Sequence, residues 1–377
     1  MRVAIAYDWL NIKSGGGEVT LQKILKLYPE ADLHCLIFNK HKFANLAKGH
    51  AVFPSRLQHF PSFLKKRPNL LLPFVKRSIQ KMDFTGYDLV ISVSSAWVKN
   101  ITVPEGAQHI CYCFSPARMI WDSWPQYLDT QKIGPFKVGA ISRFFILKVV
   151  SKIRLWDYYS TQSVDEFISI SKYVSARIKK FYGRDSVVIY PPVHTTIAQS
   201  QHKKEDFYLV LSVLSQYKNI DLVIEAFKES GRKLVVAGDG PDKDRLAVLA
   251  HECANISFAG RVSETEKYAL FARAKGFVFP SLEDFGITPV EALSSGTPVI
   301  ALKGGGLTET VQDGVTGVFF DEPTIESLNS ALDDFEKHTF DTSTLQKSAS
   351  KFSEARFGKE FSSKLSQILA KGRHAKN

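Results

Sequence analysis

The chain has little cysteine and no long apolar run, and each shortage closes a class of explanations. Its 377 residues hold 4 cysteines, Cys35, Cys111, Cys113 and Cys253, scattered among apolar neighbours. Cys111 and Cys113 alternate along an expected strand and have no second pair at zinc-site spacing. They read as reduced core thiols of a cytoplasmic protein, ahead of any disulfide or metal role. No apolar stretch approaches the roughly 20 residues of a membrane-spanning helix. The opening MRVAIAYDWL carries one arginine and a short apolar run broken by Asp8, so it reads as a first strand rather than a signal peptide. Internal repeats and low-complexity tracts are missing as well. The expected place is the cytoplasm, in solution or held at the inner face of a membrane.

Acidic residues are scarce in the first half only. Residues 1–190 contain 27 Lys and Arg against 13 Asp and Glu, a surplus of 14, whereas residues 191–377 contain 22 against 25. Such asymmetry points the first half toward an anionic partner. Residues 55–82, SRLQHFPSFLKKRPNLLLPFVKRSIQKM, mix Lys65, Lys66, Arg67, Lys76, Arg77 and Lys81 with Phe60, Phe63, Leu70, Leu71, Leu72 and Phe74. A second mixed run, RFFILKVVSKIRLWDYY, follows at 143–159. Bases interleaved with bulky apolar groups suit a membrane interface or a lipid-linked substrate, although a solvated helix face would read the same way. Nucleic acid is disfavoured, because no recognised binding motif accompanies the charge.

What the sequence does hold is alternation. Apolar runs at 3–7, 89–93, 109–114, 208–213, 233–237, 276–279 and 298–301 predict buried strands, with helices such as 221–228 and 242–251 between them. That rhythm implies parallel sheets covered on both faces. The prolines of IYPPVH at 189–194 interrupt it, and it restarts at Tyr208. The expectation is an α/β chain of two doubly wound domains, 1–190 and 191–350, followed by a C-terminal helix over 351–377 that packs back on the first domain. Ligands would sit in the cleft at the carboxyl ends of the strands.

The densest motif is PSLEDFGITPVEALSSGTPVIA, residues 280–301. It follows an apolar strand and sets Glu283 and Glu291 on either side of Phe285-Gly286-Ile287. Pro289 suits an early helical position and Gly296 a helix end. Amides around Gly286, Ile287 and Thr288 would then form a helix start that favours an anion or a sugar hydroxyl. Glu291 could accept two ribose hydroxyls, and Glu283 could reach a sugar ring. Two acids eight positions apart also read as a solvated loop acid and a dipole-compensating helix acid. Gly15-Gly16-Gly17 after the first strand, followed by the helix-like EVTLQKILKLY, reads as a backbone approach to phosphate ahead of a plain flexible turn. Asp242-Lys243-Asp244 has the spacing of a metal-binding Asp-x-Asp pair, but its place after Gly-Asp-Gly-Pro makes helix capping the better reading.

The context narrows this. Residues 264–320, with YKNIDLVIEAF at 217–227, AGDGPDKDRL at 237–246 and ISFAGRVS at 256–263, closely resemble the donor half of family 4 retaining glycosyltransferases, which have the two-domain GT-B fold. In the first half HICYCFSPARMIWD, RLWDYYSTQSVDEFISISKYVSARIKKFYG and VIYPPV look like the subgroup that transfers mannose from GDP-mannose in bacterial O-antigen and other surface-polysaccharide assembly. The resemblance implies that Glu283 contacts the transferred sugar and Glu291 the ribose. The amides of Phe285, Gly286, Ile287 and Thr288 would help hold sugar and phosphate, with Lys218 neutralising the diphosphate without a metal. It further implies that Arg261 and Val262 face the base, that Gly16, Gly17 and Gly305 lie near the phosphates, and that Arg118 meets phosphate or acceptor. No cofactor beyond the nucleotide-sugar donor is implied, and the acceptor would be a lipid-linked glycan of lipopolysaccharide or polysaccharide biosynthesis. Two positions depart from the pattern: Val213 stands where the family usually has arginine, and Phe114 where many members have histidine. Competing readings are a different hexose or a UDP-linked donor, a non-catalytic nucleotide-sugar scaffold, and a sugar-nucleotide epimerase.

Overall fold

The computed structural model describes residues 1–11, 15–65, 71–122, 132–133, 136–137, 140–195 and 203–374. The chain divides into two units, Met1–Tyr190 with Gly358–Asn377, and Pro191–Phe357.

In the first unit β1 (Val3–Leu10), β2 (Asp32–Phe38), β3 (Val52–Pro54), β4 (Leu89–Ser94) and β5 (Gln108–Cys113) enter the main sheet. A short hairpin, β6 (Lys132–Ile133) and β7 (Phe136–Lys137), stands apart, and β8 (Glu166–Ser169) and β9 (Ser186–Val188) complete the main sheet. The order β3-β2-β1-β4-β5-β8-β9 is parallel throughout. Every residue of β4 is buried, as a strand covered on both faces requires. At the carboxyl end of β1 the buried Asp8 turns its carboxylate onto the exit of β4. It accepts from the backbone N–H groups of Ser95 at 2.6 Å and of Ala96, Trp97 and Val98 at 2.8 Å. A second buried carboxylate, Asp157, takes Lys99 Nζ at 2.9 Å, with both side chains fully enclosed. Asn100 Nδ2, Trp121 Nε1 and Tyr182 Oη each donate to it at 2.7 Å. Asp122 pairs with Arg177, which also donates to Ser115 Oγ at 2.6 Å. Much of the SPARMIWD and RLWDYY signature therefore holds the first unit together. From Gly358 onward the helix Glu354–His374 belongs to this unit, with Phe361 edge-on to Tyr112 at 5.8 Å and Lys364 on Glu166 at 2.8 Å.

The second unit contains β10 (Tyr208–Leu211), β11 (Leu234–Ala237), β12 (Ile256–Gly260), β13 (Gly276–Phe279), β14 (Val299–Leu302) and β15 (Gly317–Phe320). They form one parallel sheet in the order β12-β11-β10-β13-β14-β15. The chain reverses its direction of travel between β10 and β13, so a crevice opens at their carboxyl ends. Two expectations are corrected here. The helix expected from Pro289 starts at Ile287, because Gly286 adopts the left-handed conformation (φ 84°, ψ 70°) that caps it two residues earlier. Asp242 does cap the helix Lys243–Leu249 by position, but its side chain makes no capping bond. Both of its oxygens are taken by Arg245, from Nε and from a terminal guanidinium nitrogen, at 2.7 Å each.

The 55–82 segment divides between core and surface. Leu57, Leu71, Val75 and Ile79 are buried and Phe60 and Leu72 pack against the core, while Phe63 and Phe74 are exposed. Lys66, Arg67 and Leu70 lie outside the described residues, as do the side chains of 143–146 in the second basic run. Among the described residues no helix is long and apolar enough to cross a membrane. All four cysteines are free.

Two buried histidines make the first unit acid-sensitive. Burial pulls His34 down to about 4, although Asp32 and Asp83 pull the other way, and burial pulls His109 down to about 3. Their ordinary value is near 6.5, so between pH 6.5 and 4 the unfolded chain binds more protons, and stability falls with pH. The melting temperature is expected to drop steadily as pH falls from about 6.5 to 4. The double variant H34Q/H109Q should flatten that slope; a slope identical to wild type would remove the histidines as its cause.

Candidate active site

After β10 the chain runs through the exposed Val213 into a single turn, Gln216–Lys218. Asn219 then takes a left-handed φ of 52°, the only positive φ outside glycine among the described residues. Asparagine tolerates that region better than most side chains. Its Nδ2 donates to the Pro280 carbonyl at 3.1 Å, tying the exit of β10 to the exit of β13. That tie sets Lys218 Nζ 5.7 Å from the centroid of the Phe279 ring and in direct ion pairing with Glu283. The two side chains are only 13% and 26% exposed. Lys218 and Glu283, 65 residues apart, thus meet at the point where the sheet reverses.

The Glu283 loop is held from beneath. The Gly306 amide donates to the Glu283 carbonyl at 2.8 Å. A Cβ at Gly305 would stand 2.2 Å from that same oxygen, at a φ of +57°. Gly305 is therefore required by backbone packing against the loop, whatever else lies near it. Phe285 is buried and stacks edge-on against Phe352 at 5.3 Å, so its ring anchors the loop. No side chain caps the helix Ile287–Ser294, whose first residues, Ile287 and Thr288, are half-buried.

Glu291 lies one turn into that helix. Its Oε1 accepts from Lys267 Nζ at 2.9 Å and from Tyr268 Oη at 3.3 Å. Both donors sit on the helix Glu264–Arg273, which opens with a reciprocal Ser263–Glu266 capping box. Burial pushes the Glu291 carboxyl up, against the pull of Lys267. Burial also pulls Lys267 down, but Glu291 and Glu264 outweigh it and leave the ammonium raised. Lys267 and Tyr268 were not singled out from the sequence. They lie 24 and 23 positions from Glu291, and no local spacing announces the contact.

The remaining candidates are distributed. Arg261 is exposed and Val262 half-buried at the carboxyl end of β12, two strands from β10 along the same edge. Gly16, Gly17 and Arg118 belong to the first unit, after β1 and β5. A Cβ at Gly17 would stand 2.6 Å from Tyr7 Oη and 3.9 Å from the Phe114 ring, so close side-chain packing already accounts for glycine there. A cavity of about 770 Å³ opens at the opposite, amino end of the second sheet. Arg232, Asp333, Glu336 and Lys275 on its wall satisfy one another as ion pairs, and it holds none of the candidate residues.

Two parallel doubly wound sheets, with these groups at a carboxyl edge, define the class: an α/β chain with the GT-B fold. The Anabaena protein HepE, solved in complex with UDP, superposes with a TM-score of 0.71 over 97% of this chain and 100% of its own, at 18% identity. Residues 194–356 match the family described as "Glycosyl transferases group 1". An uncharacterized glycosyltransferase of Methanocaldococcus jannaschii is 28% identical over 190 residues, 50% of this chain and 54% of that one. The O-antigen chain mannosyltransferase C of Escherichia coli is 29% identical over 191 residues, 46% and 51% respectively. The chain thus spans about half the length of the curated relatives it matches.

The loop contact gives a direct test. Alanine at Gly305 combines a left-handed φ with backbone overlap, and should lose about 1–3 kcal/mol or more. Gly314 has a similar φ of +69° but only the His338 ring within reach, at 3.7 Å. G305A should therefore melt at clearly lower temperature than G314A; equal losses would show that the approach to Glu283 is not what excludes a side chain.

Proposed function

We propose that the chain is a retaining glycosyltransferase that moves a hexose, mannose from GDP-mannose, onto a lipid-linked glycan without a metal. The Lys218–Glu283 pair at the β10/β13 crevice carries this reading. A diphosphate entering there meets an ammonium already placed and largely withdrawn from water, where its charge acts more strongly than in bulk. As Lys218 turns to the phosphates, Glu283 is released toward the hydroxyls of the sugar. Same-face displacement is the favoured course, with the leaving phosphate accepting the acceptor's proton. Glu291 then serves the ribose. The name of the Escherichia coli relative supports mannose, and the UDP of the Anabaena complex supports a UDP-hexose as the competing donor.

A membrane-bound acceptor fits the first unit's surface. Arg56 and Arg77 pull the exposed Lys81 ammonium below its ordinary value, the mark of crowded positive charge, and Phe63 and Phe74 stand exposed on the same segment. Lys76 lies 6.0 Å from the Trp156 ring, joining this segment to the helix Ala140–Thr161, where Leu155 and Tyr159 are exposed.

Three outcomes are expected. GDP or GDP-mannose should raise the melting temperature more than UDP, ADP or their sugar conjugates, because a ligand bound only by the native state stabilises it by mass action. K218A should lose on the order of a hundredfold in turnover, the scale of one preorganised charge, with chelator leaving wild-type activity intact. A magnesium or manganese requirement would overturn the mechanism. Vesicles containing anionic lipid should co-sediment the protein in a salt-sensitive way, and K76E/R77E/K81E should release it; binding indifferent to lipid charge would refute the surface assignment.

A further inference from the structure

Glu291 is gripped by one oxygen only. Lys267 and Tyr268 both donate to Oε1, and among the described residues nothing donates to Oε2. We propose that Lys267 and Tyr268 are positioning residues that fix the Glu291 carboxylate through Oε1 and keep it ionised, so that Oε2 is presented to the ribose diol of the donor nucleotide. The inference rests on the reading of Glu291 as the ribose-binding group.

The geometry favours an arrangement built for this purpose over an ordinary surface ion pair. The Glu291 and Lys267 side chains are 13% and 12% exposed, so neither is free to exchange its partner for water. A carboxylate enclosed to that degree protonates readily unless a cation faces it. Lys267 is that cation. Its second partner, Glu264 at 2.8 Å, is far more exposed, so solvent screens it and leaves Glu291 the stronger claim. Tyr268 supplies a neutral donor, and its ring is braced by His194 at a centroid distance of 5.9 Å, with Glu354 behind at 4.0 Å from His194. The groups around Glu291 are therefore Lys267, Tyr268 and Glu264 on the helix Glu264–Arg273 and, further out, His194 and Glu354. Among them Lys267 alone is a fixed positive charge at hydrogen-bond distance. A protonated Glu291 would still fill the same space, but it would keep a proton where the ribose hydroxyl needs an acceptor.

The test is nucleotide affinity against pH, measured by calorimetry with GDP and with UDP. Wild type should vary little between pH 6 and 9. In K267M the Glu291 carboxyl, already raised by burial, should rise further without its facing cation, so affinity should fall as pH is lowered and recover at high pH. K267R should restore the flat profile, Y268F should weaken binding several-fold, and E291Q should bind weakly at every pH. A merely structural role for Lys267 predicts a loss that ignores pH, and that result would overturn the inference, as would unchanged affinity in a folded K267M protein. Failure of E291Q to weaken binding would instead remove the ribose assignment itself. Should K267M not fold, a K267Q profile as flat as that of K267R would equally count against the inference.

Discussion

The contact on which the site depends is the ion pair between Lys218 and Glu283. It joins two strand exits that are distant in sequence and adjacent only because the sheet reverses between β10 and β13. The surrounding backbone is shaped around it. Asn219 takes an unusual left-handed turn and spends its side chain on Pro280, and Gly305 and Gly306 come so close to Glu283 that only glycine fits at Gly305. Unit charges 4 Å apart attract by about 4 kcal/mol at the effective dielectric near a protein surface. Desolvation of two half-enclosed groups offsets much of that. The pair thus contributes little net stability.

The two glutamates of the 280–301 motif sit in different electrostatic surroundings despite their nearness in sequence. Glu283 is on a loop, partly open and paired with a lysine that has reason to move. Glu291 is on a helix, enclosed, raised by burial and paired with a lysine locked on a neighbouring helix. Eight residues that pass through a left-handed glycine cap are enough to produce this difference. One acid sits on a loop and partly open, whereas the other is enclosed and held from a neighbouring helix.

Much of this was legible in the sequence because it is local. Apolar runs marked β1, β4, β5, β10, β11, β13 and β14 to within one to three residues, since buried parallel strands are written as continuous apolar stretches. The strand β2 escaped notice: its DLHCLIF includes Asp32 and His34, which form a polar chain with Tyr87, and the run of apolar residues looks broken. The strands β8 (EFIS) and β9 (SVV) offer no continuous apolar run, because Glu166, Ser169 and Ser186 interrupt them. What the sequence could not disclose is partnership across long separations. Asp157, Trp121 and Tyr182 stood inside motifs that suggested function, and the structure joins them in one enclosed network around Lys99. Lys267 carried no local mark of its tie to Glu291.

The first unit makes the opposite use of the same topology. It too has a crevice where the sheet reverses, between β1 and β4, and the amides of Ser95, Ala96, Trp97 and Val98 gather at its exit. Such a cluster of N–H groups would suit a phosphate. Here the carboxylate of Asp8 already fills that role, enclosed and bonded to all four. A phosphate arriving there would have to displace a buried charge that the Ser95 hydroxyl also holds, at 3.1 Å, which is strongly unfavourable. In the second unit the corresponding position presents an ammonium, held by a single carboxylate on a loop. One aspartate on the first strand of the first sheet and one lysine after the first strand of the second therefore put opposite charges at the two corresponding exits.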